Sequence, residues 1–311
     1  AQSWPMTAIA DGYFPKLETP DGFTANVVNI VDFDLTPDPA TACFEDGFEG
    51  DVSAWTASAP SLGCAWQVLD NTIRVNTAAG VCVDTAPEES CTPNPALTFD
   101  PCLLCADAAD TGCIPQTGAL PRAFEGTHAI WFGNDDSWNF LSDGGNCANA
   151  NGGGGAPVSG TFTSAVIPVN PDVTGLRVRF RYWYEIEGVS PSYNYDRMVL
   201  QVSANGTDFT EVGAVNPSIS TQAASAKAYT SAGLMKVPAW TTADMTVPAA
   251  LAAQILAAGQ LHLRFLFNSK DGQYNGFRGW VVDQVQVVGD GCVPGGKKAL
   301  GTSCHDIWSK G

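Results

Sequence analysis

The chain has 311 residues and a formal net charge of -17, with 15 Lys and Arg against 32 Asp and Glu. This acidic balance argues against nucleic-acid binding, because phosphate recognition needs a basic surface. No apolar run reaches the length of a membrane span. With 32 Gly, 20 Pro and 45% hydrophobic residues, the composition favours strands and turns around a substantial core.

The first 40 residues indicate an extended N-terminal arm, because five prolines rule out long regular structure. Residues 24–35 nevertheless alternate like a strand. Such a strand would either pack on its own domain or join the sheet of another copy. Addition to another copy, head to tail, does not close on itself and would give a filament.

Regular elements follow in a main domain that we place at residues 41–291. Period-two alternation predicts two long final strands, and the Asn205-Gly206 pair predicts a hairpin turn. Pro248 and Gly259 predict the start and end of a helix. The other predicted strands lie at 66–69, 72–75, 127–133, 160–169, 174–187, 195–204 and 208–212.

The cysteines are 10 in number, and we predict that most or all are oxidised. Disulfides imply an extracellular or periplasmic compartment, and Ala1-Gln2 is consistent with a processed N-terminus of a secreted protein. Residues 82–122 show little periodicity and indicate a disulfide-rich insertion, whose cysteines should pair largely among themselves. The cysteines are Cys43, Cys64, Cys82, Cys91, Cys102, Cys105, Cys113, Cys147, Cys292 and Cys304.

The last two predicted strands pose a problem of charge. Residues 261, 263, 265 and 267 share one face of the first, and residues 281, 283, 285 and 287 share one face of the second. The polar loop 270–276 is typical of a connection between paired strands. Asp283 is a carboxylate on an otherwise apolar face, and a buried charge is costly unless it is paired or bound to a metal.

The order of several motifs resembles that of MAM-type jelly rolls, including the domains attached to bacterial secreted metalloproteases of the immune-inhibitor type. The motifs are Phe44-Glu45-Asp46-Gly47-Phe48-Glu49 before Trp55, Gly126-Thr127-His128-Ala129-Ile130-Trp131-Phe132-Gly133, the run 176–185, Tyr195-Asp196-Arg197, and Gly279-Trp280-Val281-Val282-Asp283. The resemblance implies an all-β fold, an antiparallel β-sandwich (jelly roll), over roughly 41–290. The resemblance also implies that the domain functions in adhesion or as a module attached to an enzyme.

The C-terminal tail, residues 292–311, shows a second and shorter resemblance. Its run Cys304-His305-Asp306-Ile307-Trp308 is similar to the first residues of fibrinogen-like modules. The tail would then be a linker to a further module.

The MAM resemblance also implies a structural calcium ion where the first and last strands of the domain meet. The predicted ligands are Glu45, Asp46, Asp51 and Asp283, because Ca²⁺ takes several oxygen ligands. In the alternative, Asp46 and Asp51 are turn residues and Asp283 caps a backbone amide. Cys43 and Cys292 flank the same two strands and are candidates for one disulfide.

The outward face of the middle strands offers a second candidate site. An aromatic ring with planar hydrogen-bonding groups suits a sugar ligand. The alternatives are pairing of these arginines with Glu185, Glu187 or Asp196 across strands, or cover by the insertion. The predicted ligand-binding residues are Trp183, Arg179, Arg181, Arg264 and His262.

No His-Glu-x-x-His or Gly-x-Ser-x-Gly motif is present, and Cys102 and Cys105 lack a second metal-binding pair. We therefore predict a secreted, non-catalytic module, stabilised by calcium, that binds an extracellular glycan or a surface protein. Two alternatives remain: a filament subunit that self-associates through residues 24–35, and an accessory domain of a secreted hydrolase.

Overall fold

The computed structural model describes residues 6–8, 16–18, 41–70, 120–134, 139–140, 156–187, 195–216, 228–234, 238–272, 275 and 277–292. The predicted strand 24–35, most of the insertion, the tail 293–311 and seven cysteines lie outside these residues. The seven are Cys82, Cys91, Cys102, Cys105, Cys113, Cys147 and Cys304. In the arm, β1 (Met6–Ala8) and β2 (Lys16–Glu18) form an antiparallel pair.

Two antiparallel sheets form a β-sandwich, as predicted. The six-stranded sheet contains β4 (Trp55–Ala57), β7 (Ser159–Ser164), β8 (Ile167–Pro168), β10 (Arg197–Ser203), β11 (Thr210–Ala214) and β15 (Gln260–Asn268). The eight-stranded sheet contains β3 (Thr41–Asp46), β5 (Ala65–Leu69), β6 (Ala129–Gly133), β9 (Thr174–Glu187), β12 (Ala228–Thr230), β13 (Gly233–Leu234), β14 (Thr241–Thr246) and β16 (Gly279–Asp290).

Among the described strands, the spatial order leaves two different edges: one at which a connection joins the sheets, and an opposite one that we call the open edge. The first sheet runs β11-β10-β15-β7-β4, with β8 on β15. The second runs β13-β12-β9-β16-β6-β5, with β14 on β9 and β3 on β16. The β4–β5 connection therefore joins the sheets at one edge, while β11 and β12–β14 lie at the other.

Local signals placed the hairpin and the helix correctly. β10 and β11 pair antiparallel across Asn205-Gly206, and Gly206 has a φ of 76°, which favours glycine. α1 (Ala249–Ala258) follows Pro248 and ends at Gly259, whose left-handed conformation lets its N–H bond back to the last turn. The helix buries Leu251 and Ile255 against the sandwich.

The interior is dominated by aromatic side chains from both sheets. Trp280 of β16 contacts Phe265 of β15 and Trp66 of β5, with ring centroids 5.7 and 5.4 Å apart. The Trp66 indole N–H donates to the Gly160 carbonyl at 3.0 Å, so this buried polar group is satisfied. Each fully buried aromatic side chain contributes roughly 1.5–3 kcal/mol of burial energy.

The two final strands do not pair, contrary to our expectation. β15 pairs with β10, β7 and β8, whereas β16 pairs with β9, β6 and β3. The loop after β15 therefore crosses from one sheet to the other. A polar, glycine-containing loop suits either connection, so loop composition alone misled the prediction.

β16 also changes face at a β-bulge. Gln284 has a φ of 45°, and the register with β9 shifts between Asp283 and Gln286. Such an extra residue reverses which side chains point inward. Trp280 and Val282 face the main core before the bulge, and Val285 and Val287 face it afterwards. The expectation that residues 281, 283, 285 and 287 share one face is therefore wrong.

One disulfide, Cys43–Cys292, joins the start and the end of the domain and confirms that predicted pair. Cys43 lies on β3 and Cys292 follows β16, and these two strands pair with each other. Cys64, which we expected in a disulfide, is instead a fully buried thiol, and burial raises its pKa to about 12. No helix among the described residues has the length and apolar character needed to span a membrane.

Candidate functional site

The open edge of the sandwich contains a cleft of about 490 Å³. Residues from both sheets line it: Ala214 and Asn216 from the end of β11, and neighbours from β9, β12, β13 and β14. Ligand sites in proteins typically have volumes in the range of roughly 300–1,000 Å³. The cleft is therefore large enough for a small ligand or for a few units of a polymer.

Three tyrosines give this cleft its aromatic character. Tyr182 and Tyr184 are two residues apart on β9 and share a face, as strand periodicity requires. Their rings are parallel, with an interplanar angle of 3° and centroids 6.0 Å apart. Tyr229 comes from β12, opposite Ile186. We call these three residues the tyrosine cluster.

The hydroxyl groups of the tyrosine cluster are neutral near physiological pH. Burial raises the pKa of Tyr184, and proximity to the other two tyrosines raises it further. Burial also raises the pKa of Tyr182, against a hydrogen bond with Thr241 that lowers it, and raises the pKa of Tyr229. Within the described part of the chain, the hydroxyls of Tyr184 and Tyr229 have no hydrogen-bond partner. They can therefore donate to or accept from a ligand.

The other polar groups around the cleft hold its backbone. The Thr230 hydroxyl donates to the Gly233 carbonyl at 3.0 Å, and the Ser231 hydroxyl donates to the Ala239 carbonyl at 2.5 Å. The Asn216 side-chain oxygen accepts the Met198 N–H at 2.8 Å. These bonds hold the walls of the cleft in place, and the hydroxyls of Tyr184 and Tyr229 remain for recognition.

The arginine side chains on β9 bind other side chains of the same chain. Arg177 and Arg179 both donate to Asp244 of β14, at 2.7 and 2.9 Å. Arg181 bonds the Thr242 hydroxyl, and its guanidinium lies 4.8 Å from the centre of the Phe124 ring. Pairing of the arginines across strands was one of our alternatives. We expected Glu185, Glu187 or Asp196 as the acidic partner, whereas the structure shows Asp244.

Trp183 points outward, as predicted, but only 4% of its surface is exposed. It belongs to a second apolar cluster on the outer face of the larger sheet, with Trp131 and Val281. Residues 120–125, which we call the strap, lie over this face, and Arg278 stacks on the Trp183 ring at 4.7 Å. Trp183 is thus covered and does not form an exposed sugar platform.

Arg264 and His262 lie on β15, in the other sheet. The Arg264 guanidinium stacks on Phe209 at 3.4 Å and donates to the Thr163 hydroxyl at 3.1 Å. The His262 Nδ1 atom lies 3.2 Å from the Ser164 carbonyl oxygen. Because their neighbours Leu263 and Phe265 face the core, these two side chains point away from β9. The five predicted residues therefore do not share one surface.

Three of the predicted calcium ligands already accept hydrogen bonds from other groups of the protein. Asp46 is buried and accepts the Phe48 N–H and the Trp55 indole N–H, both at 2.8 Å. Asp51 is exposed and caps a 3-10 turn by accepting the Ser53 N–H. Glu45 accepts a 3.3 Å bond from the Gln286 side chain. No three His, Cys, Asp or Glu side chains form a metal-binding group within the described residues.

Asp283 is fully buried and anchors the strap. Its carboxylate accepts the N–H groups of Phe124 and Glu125, at 2.8 and 3.2 Å, and that of Gln284 at 2.7 Å. Burial raises the pKa of Asp283 to about 7, against the lowering effect of these bonds, and nearby Glu49 raises it further. Capping of backbone amides, one of the alternatives, is thus what the structure shows.

Glu49 is a residue that sequence reasoning missed. Its carboxylate accepts the N–H groups of Thr127 and His128 at 2.8 and 2.7 Å, just after the strap. Gly126 has a φ of 68°, and an added Cβ there would lie 2.3 Å from the Glu49 carboxyl carbon. The only signal in the sequence was its place in the acidic run 44–51, because its partners lie almost 80 residues away.

No protein-family model and no curated protein matches the chain. Among solved structures, the K1 cleaved adhesin domain of Lys-gingipain from Porphyromonas gingivalis W83 matches at 10% identity and TM-score 0.32, over 78% of this chain and 96% of that one. The CBM22-1 xylan-binding domain of Paenibacillus barcinonensis Xyn10C matches at 10% identity and TM-score 0.31, over 80% and 96%. At such values the likeness carries no argument, and membership of the MAM-type family stays a prediction.

Proposed function

We propose that this protein is a non-catalytic module that binds an extracellular glycan in the cleft at the open edge of the sandwich. The observation that carries the proposal is the tyrosine cluster. The partly exposed rings of Tyr182 and Tyr229 offer apolar faces to a sugar ring, and neutral hydroxyls offer donors and acceptors to its hydroxyl groups. Tyr184 is only 3% exposed and packs beside Tyr182, so it supports that ring from within. The firmly bonded walls would limit the entropy lost on binding.

A neutral glycan fits the cleft better than a charged one. Asp244, the carboxylate that lines the cleft, is already neutralised by Arg177 and Arg179. With a net charge of -17, the whole protein repels polyanions. We therefore propose an uncharged oligosaccharide or polysaccharide as the ligand. The Cys43–Cys292 disulfide supports an oxidising, extracellular location.

Binding to soluble neutral polysaccharides, measured by affinity electrophoresis and by calorimetry, tests this proposal. Tyr229→Ala removes one partly exposed ring and should weaken binding on the order of tenfold, or about 1.4 kcal/mol. Leu62→Ala is the matched control, because Leu62 is 54% exposed and lies in the β4–β5 connection at the opposite edge. Equal loss in both variants, or unchanged binding in Tyr229→Ala, would refute the cleft as the site.

Calcium is a further part of the proposal. We propose that Asp283 and Glu49 hold a structural Ca²⁺ beside the loop 123–128. The raised pKa of Asp283 comes chiefly from burial, and the charge of Glu49 adds to it. A divalent cation would offset both the burial of the Asp283 charge and the repulsion between the two carboxylates. Chelation should then lower the melting temperature of the wild type by more than that of Glu49→Gln. An equal effect of chelation on the two proteins would argue against the ion.

The filament alternative stays a prediction, because residues 24–35 lie outside the described part of the chain. The alternative of an accessory domain of a secreted hydrolase stays a prediction as well. Deletion of residues 1–40 tests the filament: the truncated protein should remain folded and monomeric while the full chain assembles.

A further inference from the structure

Three buried side-chain oxygens near one end of the sandwich have no hydrogen-bond partner among the described residues. They are Glu187 Oε2, Asp196 Oδ1 and Asn275 Oδ1. Their residues are 2%, 0% and 0% exposed. A buried acceptor without a donor is destabilising, and more so when it is charged. Three such acceptors in one region therefore need a physical explanation.

The fold brings these residues together from three segments. The Glu187 backbone N–H, at the end of β9, donates to Asp196 Oδ2 at 2.8 Å. Asp196 precedes β10, and the pairing of Arg197 with Asn268 puts Asp196 next to Ser269. The Ser269 hydroxyl oxygen lies 3.3 Å from the Asn275 amide nitrogen. Glu187 is thus bonded to Asp196, and the register of β10 and β15 places the bonded pair Ser269 and Asn275 beside Asp196.

The orientation of the Asn275 amide is fixed by its other contacts. Its nitrogen donates to the Asp271 carbonyl at 3.2 Å as well as to the Ser269 hydroxyl. That hydroxyl donates in turn to the same Asp271 carbonyl, so it must accept from Asn275. Turning the amide would set two oxygens against each other. The Asn275 oxygen is therefore left as an acceptor without a donor.

The electrostatics of the region call for positive charge. Burial raises the pKa of Glu187 to about 9 and that of Asp196 well above its ordinary value, and the charge of Asp271 adds to both shifts. The Glu187 and Asp196 carboxylates have no cationic side-chain partner among the described residues. A proton shared by the two carboxyl groups would satisfy them but would leave the Asn275 oxygen unpaired.

We propose that Glu187, Asp196 and Asn275 bind one Ca²⁺ ion through these three oxygens. Carboxylate and amide oxygens are the ligands that hard cations prefer, whereas Zn²⁺ favours nitrogen and sulfur. The proposed ligand set consists of two carboxylates and one amide. It is therefore compatible with the absence, among the described residues, of a group of three His, Cys, Asp or Glu side chains. Water molecules would complete the coordination shell.

The ion would connect the two sheets beside the tyrosine cluster. Glu187 belongs to the larger sheet, and Asp196 leads into the smaller one. Asn216, which lines the cleft, donates from its side chain to the Asp196 carbonyl. The proposed site is therefore separate from Asp283 and Glu49, and it would stiffen the open edge of the sandwich.

Equilibrium dialysis with Ca²⁺ and calorimetry on the full chain test this site. The Glu187→Gln/Asp196→Asn variant should bind one ion fewer per chain than the wild type. Glu49→Gln should retain that ion whether or not Ca²⁺ binds near Asp283, so the two calcium proposals can fail separately. Glu211→Gln, at an exposed carboxylate paired with Arg197, is the matched control.

A second variant keeps the proposal testable if the double variant fails to fold. Asn275→Asp adds a third carboxylate of nearly the same shape, and it should tighten Ca²⁺ binding on the order of tenfold or more. If the region instead holds a shared proton, this change destabilises the fold and leaves Ca²⁺ binding unaltered. Unaltered binding, or equal ion counts for the wild type and the double variant, would overturn the proposal.

Discussion

Replacing both Cys43 and Cys292 by alanine removes the bond that joins the two ends of the domain. The cysteines are separated by 249 residues along the chain. In the chain-entropy account, a bridge lowers the entropy of the unfolded state by about 2.1 + 1.5R ln n cal/mol/K, where n is the loop length. For n of about 250, this amounts to about 5.5 kcal/mol at 25 °C.

That stabilisation is large compared with the total stability of a domain, which is typically about 5–15 kcal/mol. The assay is urea unfolding followed by the fluorescence of the buried tryptophans, with the free energy of unfolding extrapolated to water. We expect the double variant to lose about 4–6 kcal/mol, and its native spectrum should be retained at low urea.

Cys64→Ala provides the matched control, because it removes a buried sulfur from the same core without removing the Cys43–Cys292 bridge. We expect it to lose only about 1–2 kcal/mol, the cost of a small cavity. If the double variant loses no more than this control, then closure of the long loop does not stabilise the fold and the entropic reasoning is wrong.

Three other predictions concern buried charge and backbone conformation. Because the pKa of Asp283 is raised from 3.8 to about 7, stability in chelator should fall by about 3 kcal/mol as the pH rises from 4 to 7, and Asp283→Asn should flatten this part of the profile. Glu185→Ala leaves the buried Arg278 without its 2.6 Å partner and should cost about 3–5 kcal/mol in urea unfolding, whereas a loss below about 1 kcal/mol would contradict a buried ion pair. Gly126→Ala should destabilise by about 1–3 kcal/mol in thermal unfolding, because a Cβ there collides with the Glu49 carboxyl group.

The elements that the sequence predicted well are those that local chemistry determines. Asn205-Gly206 permits the positive φ of a tight turn, and Pro248 and Gly259 delimit the helix. The Cys43–Cys292 pair was predictable because the two cysteines flank the strands that begin and end the domain. In each case the information lies within a few residues or in the order of the strands.

What could not be predicted depends on contacts between distant segments. Simple alternation along β16 gave no sign of the bulge at Gln284, so Asp283 was assigned to the wrong face. The pattern of β9 showed that Trp183 points outward, but not that the strap covers it. The cleft was not predicted, because only the placement of β11 and β12 at one edge of the sandwich forms it beside Tyr182.

The position of the disulfide has a mechanical consequence. A pulling force that enters the chain before Cys43 and leaves after Cys292 would pass through the sulfur–sulfur bond. The chain between them, a sequence separation of 249, would carry no tension, although unfolded and extended it could span roughly 850 Å. The cleft at the open edge would thus keep its shape under load, and a reductant would turn the domain from a fixed link into an extensible one.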